Sequence, residues 1–228
     1  MAFPDSGTLL FLHRDGSIPS RDKDIDLGAL PDAIPQLLAM RPRFTSEGYR
    51  VKVNRYRGLV YTVALKPRTV RAGPLPVAIH IYFPEENWLV SPQARQRRPL
   101  LGKANSVGNP KNPDGPREKH RGLRRLLKNA LRRLTDPIDR ALLVERWPLN
   151  RFFEGSVWRI PADLVLPLAD EEFGGVTVCA PHDVEAYLTA RYGDWRSPRP
   201  TWAFWEDDGL ITAQHPRELV ERLREKSE

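Results

Sequence analysis

Residues 6–28 read Ser6-Gly7-Thr8-Leu9-Leu10-Phe11-Leu12-His13-Arg14-Asp15-Gly16-Ser17-Ile18-Pro19-Ser20-Arg21-Asp22-Lys23-Asp24-Ile25-Asp26-Leu27-Gly28. Side chains of an extended strand alternate between its two faces. Read as a strand, Asp22-Lys23-Asp24-Ile25-Asp26 places Asp22, Asp24 and Asp26 on one face and Ile25 and Leu27 on the other. Three carboxylates side by side repel one another unless a divalent cation neutralises them, and oxygen ligands suit Mg²⁺ or Mn²⁺. Upstream, Gly7 and Thr8 offer backbone N–H groups and a hydroxyl to a phosphate. The combination points to metal-assisted phosphoryl chemistry. The same letters also fit a solvated Asp-rich turn beside an apolar run.

Composition narrows the class. The chain has 228 residues, 40% of them hydrophobic, enough for one domain with a core or one domain with a large insertion. No apolar run approaches the roughly 20 residues of a spanning helix. Met1-Ala2-Phe3-Pro4-Asp5 lacks the basic and apolar regions of a secretory leader, and the single cysteine, Cys179, rules out an intramolecular disulfide. Together these predict a soluble cytoplasmic protein in which Cys179 is a small buried residue. The net charge of +7 is concentrated. Residues 95–133 hold thirteen Lys or Arg against Asp114 and Glu118, a local excess of +11, which leaves −4 for the rest.

Along the chain, Leu30–Met40 reads as a short helix. Tyr49–Asn54 and Leu59–Leu65 read as strands joined by a turn at Arg55-Tyr56-Arg57-Gly58, and Leu75–Phe83 as a further strand. Residues 91–120, rich in Pro, Gly, Asn and basic side chains, read as a flexible basic insertion. Helical spacing follows over Arg121–Leu134 and Ile138–Glu145. Strand and loop are expected over 157–168, a helix over His182–Tyr192 stopped by Gly193, and a peripheral amphipathic helix over Gln214–Lys226. Strands and helices without regular alternation predict an α/β (α+β) fold, a small mixed sheet flanked by helices.

A second block lies at residues 161–198, where Pro161, Phe173-Gly174, Pro181-His182-Asp183, Tyr187-Leu188 and Tyr192-Gly193-Asp194-Trp195 with Pro198 follow one another. With the G-T-L-L, basic, I-P and D-x-D-h-D-L-G run of residues 7–28, this order resembles the LicD/fukutin nucleotidyltransferase-like family. Residues 29–160 carry the resemblance only weakly. The resemblance implies a single nucleotidyltransferase-fold domain over residues 1–228. It also implies Mg²⁺-dependent transfer of phosphocholine or a polyol phosphate from a CDP-linked donor to a sugar hydroxyl of a glycan or glycolipid. Asp24 and Asp26 are then the catalytic metal ligands, with Asp22 as a third ligand or an orienting neighbour. Gly7, Thr8 and Arg14 are then the phosphate-holding residues. Family members have a helix ahead of the first motif. Its absence before Met1 fits an upstream-truncated chain, a shifted start codon or a compensating partner surface.

One departure stands out. The family takes a further carboxylate from a later apolar strand, and Pro76-Val77-Ala78-Ile79-His80-Ile81-Tyr82-Phe83 contains no acid. Ala78 or His80 falls where it is expected, and His80 is a weak candidate metal ligand. Because Val77, Ile79, Ile81 and Phe83 are wholly apolar, that parity should face the core and His80 the aspartates. Two other readings remain open: a binding or regulatory protein that has lost the chemistry, and a nucleic-acid-binding module built on residues 95–133. No nucleic-acid motif accompanies that charge. A solvated helix face with a flexible loop is its default reading, and peripheral contact with an anionic membrane or glycan comes second. Limited trypsin digestion tests the insertion: cleavage should fall first within residues 95–118 and leave a folded core, and protection of that stretch refutes its flexibility.

Overall fold

Two strands organise the fold. β2 (Ile25–Ala29) and β5 (Val77–Ile81) run parallel, with Asp26 opposite Ala78 and Gly28 opposite His80. β1 (Ala2–Pro4) pairs antiparallel on the outer side of β2. β3 (Tyr49–Tyr56) and β4 (Leu59–Pro67) form a hairpin on the other side of β5, turning at Gly58, whose φ of 86° suits a residue without a Cβ. The result is a mixed five-stranded sheet in the order β1-β2-β5-β4-β3.

The computed structural model describes residues 1–20, 22–56, 58–69, 75–96, 153–199, 201–212 and 216–225. The chain divides into two compact units, Met1–Ala94 with Gly155–Glu228, and Arg95–Glu154. Residues 97–152, including both helices expected between Arg121 and Glu145, lie outside the described residues. The first unit also contains α1 (Ser6–Asp15), a 3₁₀ turn (Pro31–Ala33), α2 (Ile34–Ala39), α3 (Arg41–Ser46), β6 (Phe83–Glu85) and all but the last two residues of β7 (Trp88–Gln96). Past the insertion come β8 (Phe153–Pro161), α4 (Ala162–Val165), β9 (Ala169–Phe173) and β10 (Val176–Ala180). α5 (Val184–Tyr192), α6 (Phe204–Asp207), β11 (Ile211–Thr212) and α7 (Pro216–Glu225) complete the described elements. A second sheet has the order β11-β8-β7-β6, and β9 and β10 form a separate hairpin. The fold is therefore mixed α/β, with several sheets and flanking helices.

Alternation along β5 separates two cores. Ile79 and Ile81 join Val51, Val63, Leu65, Leu37, Leu219 and Leu223 on one side. On the other, Tyr82 joins Phe3, Leu9, Trp158, Tyr187 and Trp195. Three expectations need correction. The 91–120 insertion begins too early, because β7 continues to Gln96 and Ser91, Pro92 and Gln93 are buried. The last helix is not peripheral: Leu219, Val220 and Leu223 of α7 are buried, and each fully buried aliphatic side chain contributes about 2 kcal/mol. Cys179 is only half-buried on the β9–β10 hairpin, because alternation there turns Ala180 inward instead.

Gly28 has a packing reason. A Cβ there would overlap the ring of Phe3, which lies across it on β1 and is fully buried. Gly28→Ala should therefore lower unfolding stability by about 2 kcal/mol or more, measured by urea denaturation, because the enclosed ring has nowhere to move.

Candidate functional site

The site is built where the start of α1 meets β2. Asp5 is the N-cap of α1: its backbone is extended and its carboxylate accepts from the Ser6 N–H at 2.6 Å. Gly16, with φ of 70°, closes the other end, and His13 and Arg14 in the last turn complement the helix dipole. The Asp5 N–H donates to the Asp26 carbonyl at 3.0 Å, and the Asp26 N–H donates to Thr8 Oγ1 at 2.9 Å. This reciprocal pair fixes Asp26 against the first turn of the helix.

Behind that junction lies a buried ionic network. Tyr82 Oη donates to Asp5 Oδ2 at 2.7 Å, and Tyr187 Oη donates to Asp5 Oδ1. Arg191, at the end of α5, donates to Ser6 Oγ and stands 3.6 Å from Asp5 Oδ1 and 3.7 Å from Asp208 Oδ2. Trp158 Nε1 donates to Asp208 Oδ2 at 3.1 Å, and the Arg191 guanidinium lies 4.5 Å from the centre of a Trp158 ring. Ser6 is held at φ of 49°, a left-handed conformation that costs a non-glycine residue about 1 kcal/mol and that its bond from Arg191 helps to maintain.

The charges follow from these contacts. Burial alone would raise the Asp5 carboxyl, but Arg191, His80 and the two tyrosine hydroxyls bring it below its ordinary value. Burial opposes the charge of Arg191 too, yet Tyr187, Asp5, Tyr82 and Asp208 hold its pKa well above normal. Asp208 is raised by burial, with Arg191 opposing. Burial, reinforced by Asp5, drives the Tyr82 and Tyr187 hydroxyls well up.

In front of the network is a cleft of about 620 Å³. Its polar wall includes Gly7, Arg14, Asp22, Asp26 and His80, and Trp158, Trp202 and Phe204 supply an aromatic wall. His80 Nε2 is 3.6 Å from Asp26 Oδ1, and its ring meets Trp158 edge-on with centroids 4.9 Å apart. His80 thus points to the same side of β5 as Ala78, opposite the apolar parity.

The expected triplet does not form as drawn. β2 begins at Ile25, so of the three aspartates only Asp26 lies in the strand; Asp22 and Asp24 precede it, and Asp24 is exposed. Partial desolvation, then repulsion from Asp26 and Asp22, raises the Asp24 carboxyl. Gly7 and Thr8 are helical, not a turn, and the Thr8 hydroxyl is committed to Asp26. Arg14 lines the cleft while its guanidinium binds Asp15 at 2.8 Å and the Trp195 carbonyl at 3.2 Å. Asp5, Asp208 and Trp158 carry no metal- or phosphate-binding signal in the sequence, and Tyr82, which shares the parity of Ala78 and His80 and so is expected to face the site, is instead fully buried behind it on Asp5. An Asp directly before a helix start is the one signal that marks Asp5.

Among the described residues no group of three or more His, Cys, Asp or Glu is disposed to hold a metal ion. Mg²⁺, however, is ordinarily held by one or two carboxylates and completed by water and substrate phosphate. Asp22 and Asp26 line the cleft, while Asp24 lies outside its lining yet near enough to both for charge repulsion; hard carboxylate oxygens of this kind suit an ion completed in that way and make no cage by protein alone. No protein-family model matches the chain, and no curated protein matches it.

Asp5→Asn should cost about 3–5 kcal/mol, because it leaves Arg191 short of a buried partner. The pH sign is set by the depressed carboxyl. Its contribution is complete above the ordinary value of 3.8 and is lost as pH falls through the lower folded value. Unfolding free energies measured down the acid limb should therefore fall more steeply for the parent than for Asp5→Asn.

Proposed function

We propose that this protein is a nucleotidyltransferase-like transferase that moves a phospho-alcohol group, phosphocholine or a polyol phosphate, from a CDP-linked donor to a sugar hydroxyl of a glycan or glycolipid. The observation that carries the reading is Asp26, locked by Thr8 beside the N-terminal turn of α1 and facing a cleft that also holds Arg14 and His80. The parallel pair β2 and β5, with a helix springing from the strand that flanks them, supports the fold half of the reading. The two sequence blocks support the family half, since α1 and β2 carry one and α5 ends in the other.

In this reading Asp24 and Asp26 hold a divalent cation, Mg²⁺ or Mn²⁺, which when bound neutralises the donor diphosphate and the departing CMP. Gly7, with no side chain, leaves room for a phosphate near the α1 N-terminus, where the helix dipole favours an anion. Arg14, fixed by Asp15 and Trp195, adds positive charge at the cleft wall. His80, braced by Trp158, keeps its Nε2 toward Asp26. The acceptor hydroxyl gives up its proton to an aspartate of the site acting as base, its oxygen forms the new bond to the donor's distal phosphorus, and the bond from that phosphorus to CMP breaks. The setting is cytoplasmic, with residues 95–133 offering a basic contact to an anionic inner membrane face or glycan, and nucleic acid is not the favoured partner.

One observation favours a second reading, a binding protein without turnover. Ala78 stands opposite Asp26 on β5, where a third carboxylate would complete the site. Electron paramagnetic resonance with Mn²⁺, and CMP release from a panel of CDP-alcohols, separate the readings: binding with release supports the transferase, and binding alone the second. Asp24→Asn with Asp26→Asn should abolish Mn²⁺ binding and leave the fold intact; unchanged affinity refutes both. Ala78→Asp should tighten Mn²⁺ by about tenfold, since affinity rises with ligand charge.

A further inference from the structure

A second cleft, of about 390 Å³, is lined by Glu85, Glu86, Arg159, Thr212 and Arg222 and shares no residue with the first. Its charges are not equally committed. Arg222 grips Glu85 through two hydrogen bonds, at 2.9 and 3.2 Å. The Thr212 hydroxyl donates to the Val157 carbonyl at 3.1 Å. Arg159 differs. Its guanidinium stacks over Trp88, 4.4 Å from the ring centroid, and its Nε is buried with no hydrogen-bond partner. Among the described residues no carboxylate pairs with it. A guanidinium that lines a cleft with no ion-pair partner among the described residues leaves the N–H groups it turns to the cleft open to an anionic acceptor. Glu86 is exposed at the β6–β7 turn, at φ of 55°, and lines the same cleft.

Glu85 is hydrogen-bonded to Arg222, and Glu218 and Glu86 act on the same guanidinium from farther off; Arg159 is then the guanidinium, and Glu86 the carboxylate, that line the cleft with no ion pair of their own among the described residues. We infer that it is a binding site for a small zwitterion of the α-amino acid type, its carboxylate on the Arg159 fork and its ammonium toward Glu86. The stack on Trp88 fixes the plane of that fork, which suits a planar carboxylate. A phosphate dianion is disfavoured because Glu85 and Glu86 face it. The site is independent of the transferase reading.

Calorimetry on the full chain tests it, with the free α-amino acids, acetate, methylammonium and inorganic phosphate as probes. At least one amino acid should bind at about 1 mM or tighter. Acetate and methylammonium should each be weaker than that amino acid by about tenfold, having lost one of two charged contacts. Arg159→Gln should weaken the amino acid by about tenfold or more, and Glu86→Gln should weaken it while sparing acetate. If Arg159→Gln does not fold, Arg159→Lys keeps the charge and stem, loses the planar fork, and should still weaken binding. Absence of binding by every amino acid, tighter binding of phosphate than of any amino acid, or unchanged affinity in the Arg159 variant overturns the inference.

Discussion

The fully buried carboxylate of Asp5 is the interaction on which the cleft depends. It caps α1, receives hydroxyls from β5's end through Tyr82 and from α5 through Tyr187, and faces the Arg191 guanidinium. Three separate parts of the chain, the start of α1, the end of β5 and α5, therefore meet at two oxygen atoms. A charge removed from water is expensive, and it is tolerable here because three hydrogen bonds and the Arg191 guanidinium compensate it. Loss of any partner leaves the others with an uncompensated buried group, so the arrangement behaves as one unit.

That unit explains why the cleft has the shape it does. Arg191 is drawn inward, between Asp5 and Asp208, and so serves as a wall for the cleft and not as an arm reaching into it. Asp26 is tied by its backbone to α1, which leaves its side chain as the fixed acid of the cleft. Asp24, two residues earlier and outside the strand, is more exposed and does not line the cleft, where Asp22 accompanies Asp26 instead.

Trp158 links the two halves of the first unit. It accepts the Arg191 guanidinium on its face, holds Asp208 through Nε1, and meets His80 and Phe204 edge-on. The next residue on β8, Arg159, points to the opposite side of the strand and stacks on Trp88. Strand alternation thus gives one strand a role in each of two clefts.

The sequence by itself determined the local elements. Apolar alternation and a Gly-containing turn located the hairpin of residues 49–67, and an Asp start with a Gly stop located the helix ending at Tyr192, because those signals act over a few residues. The parity of Val77–Phe83 placed His80 away from the aliphatic core for the same reason. The sequence could not reveal that Asp5 outranks the conspicuous aspartates in burial, that Asp24 falls short of the strand, or that α7 completes the first core. Each of those depends on which distant segment arrives beside it: a carboxylate in a polar run is solvated by default, and only Tyr82, Tyr187 and Arg191, brought in from up to 186 positions along the chain, make the interior its lower-energy place. Tertiary structure decided them because burial and charge pairing are properties of the assembled neighbourhood, not of the residue.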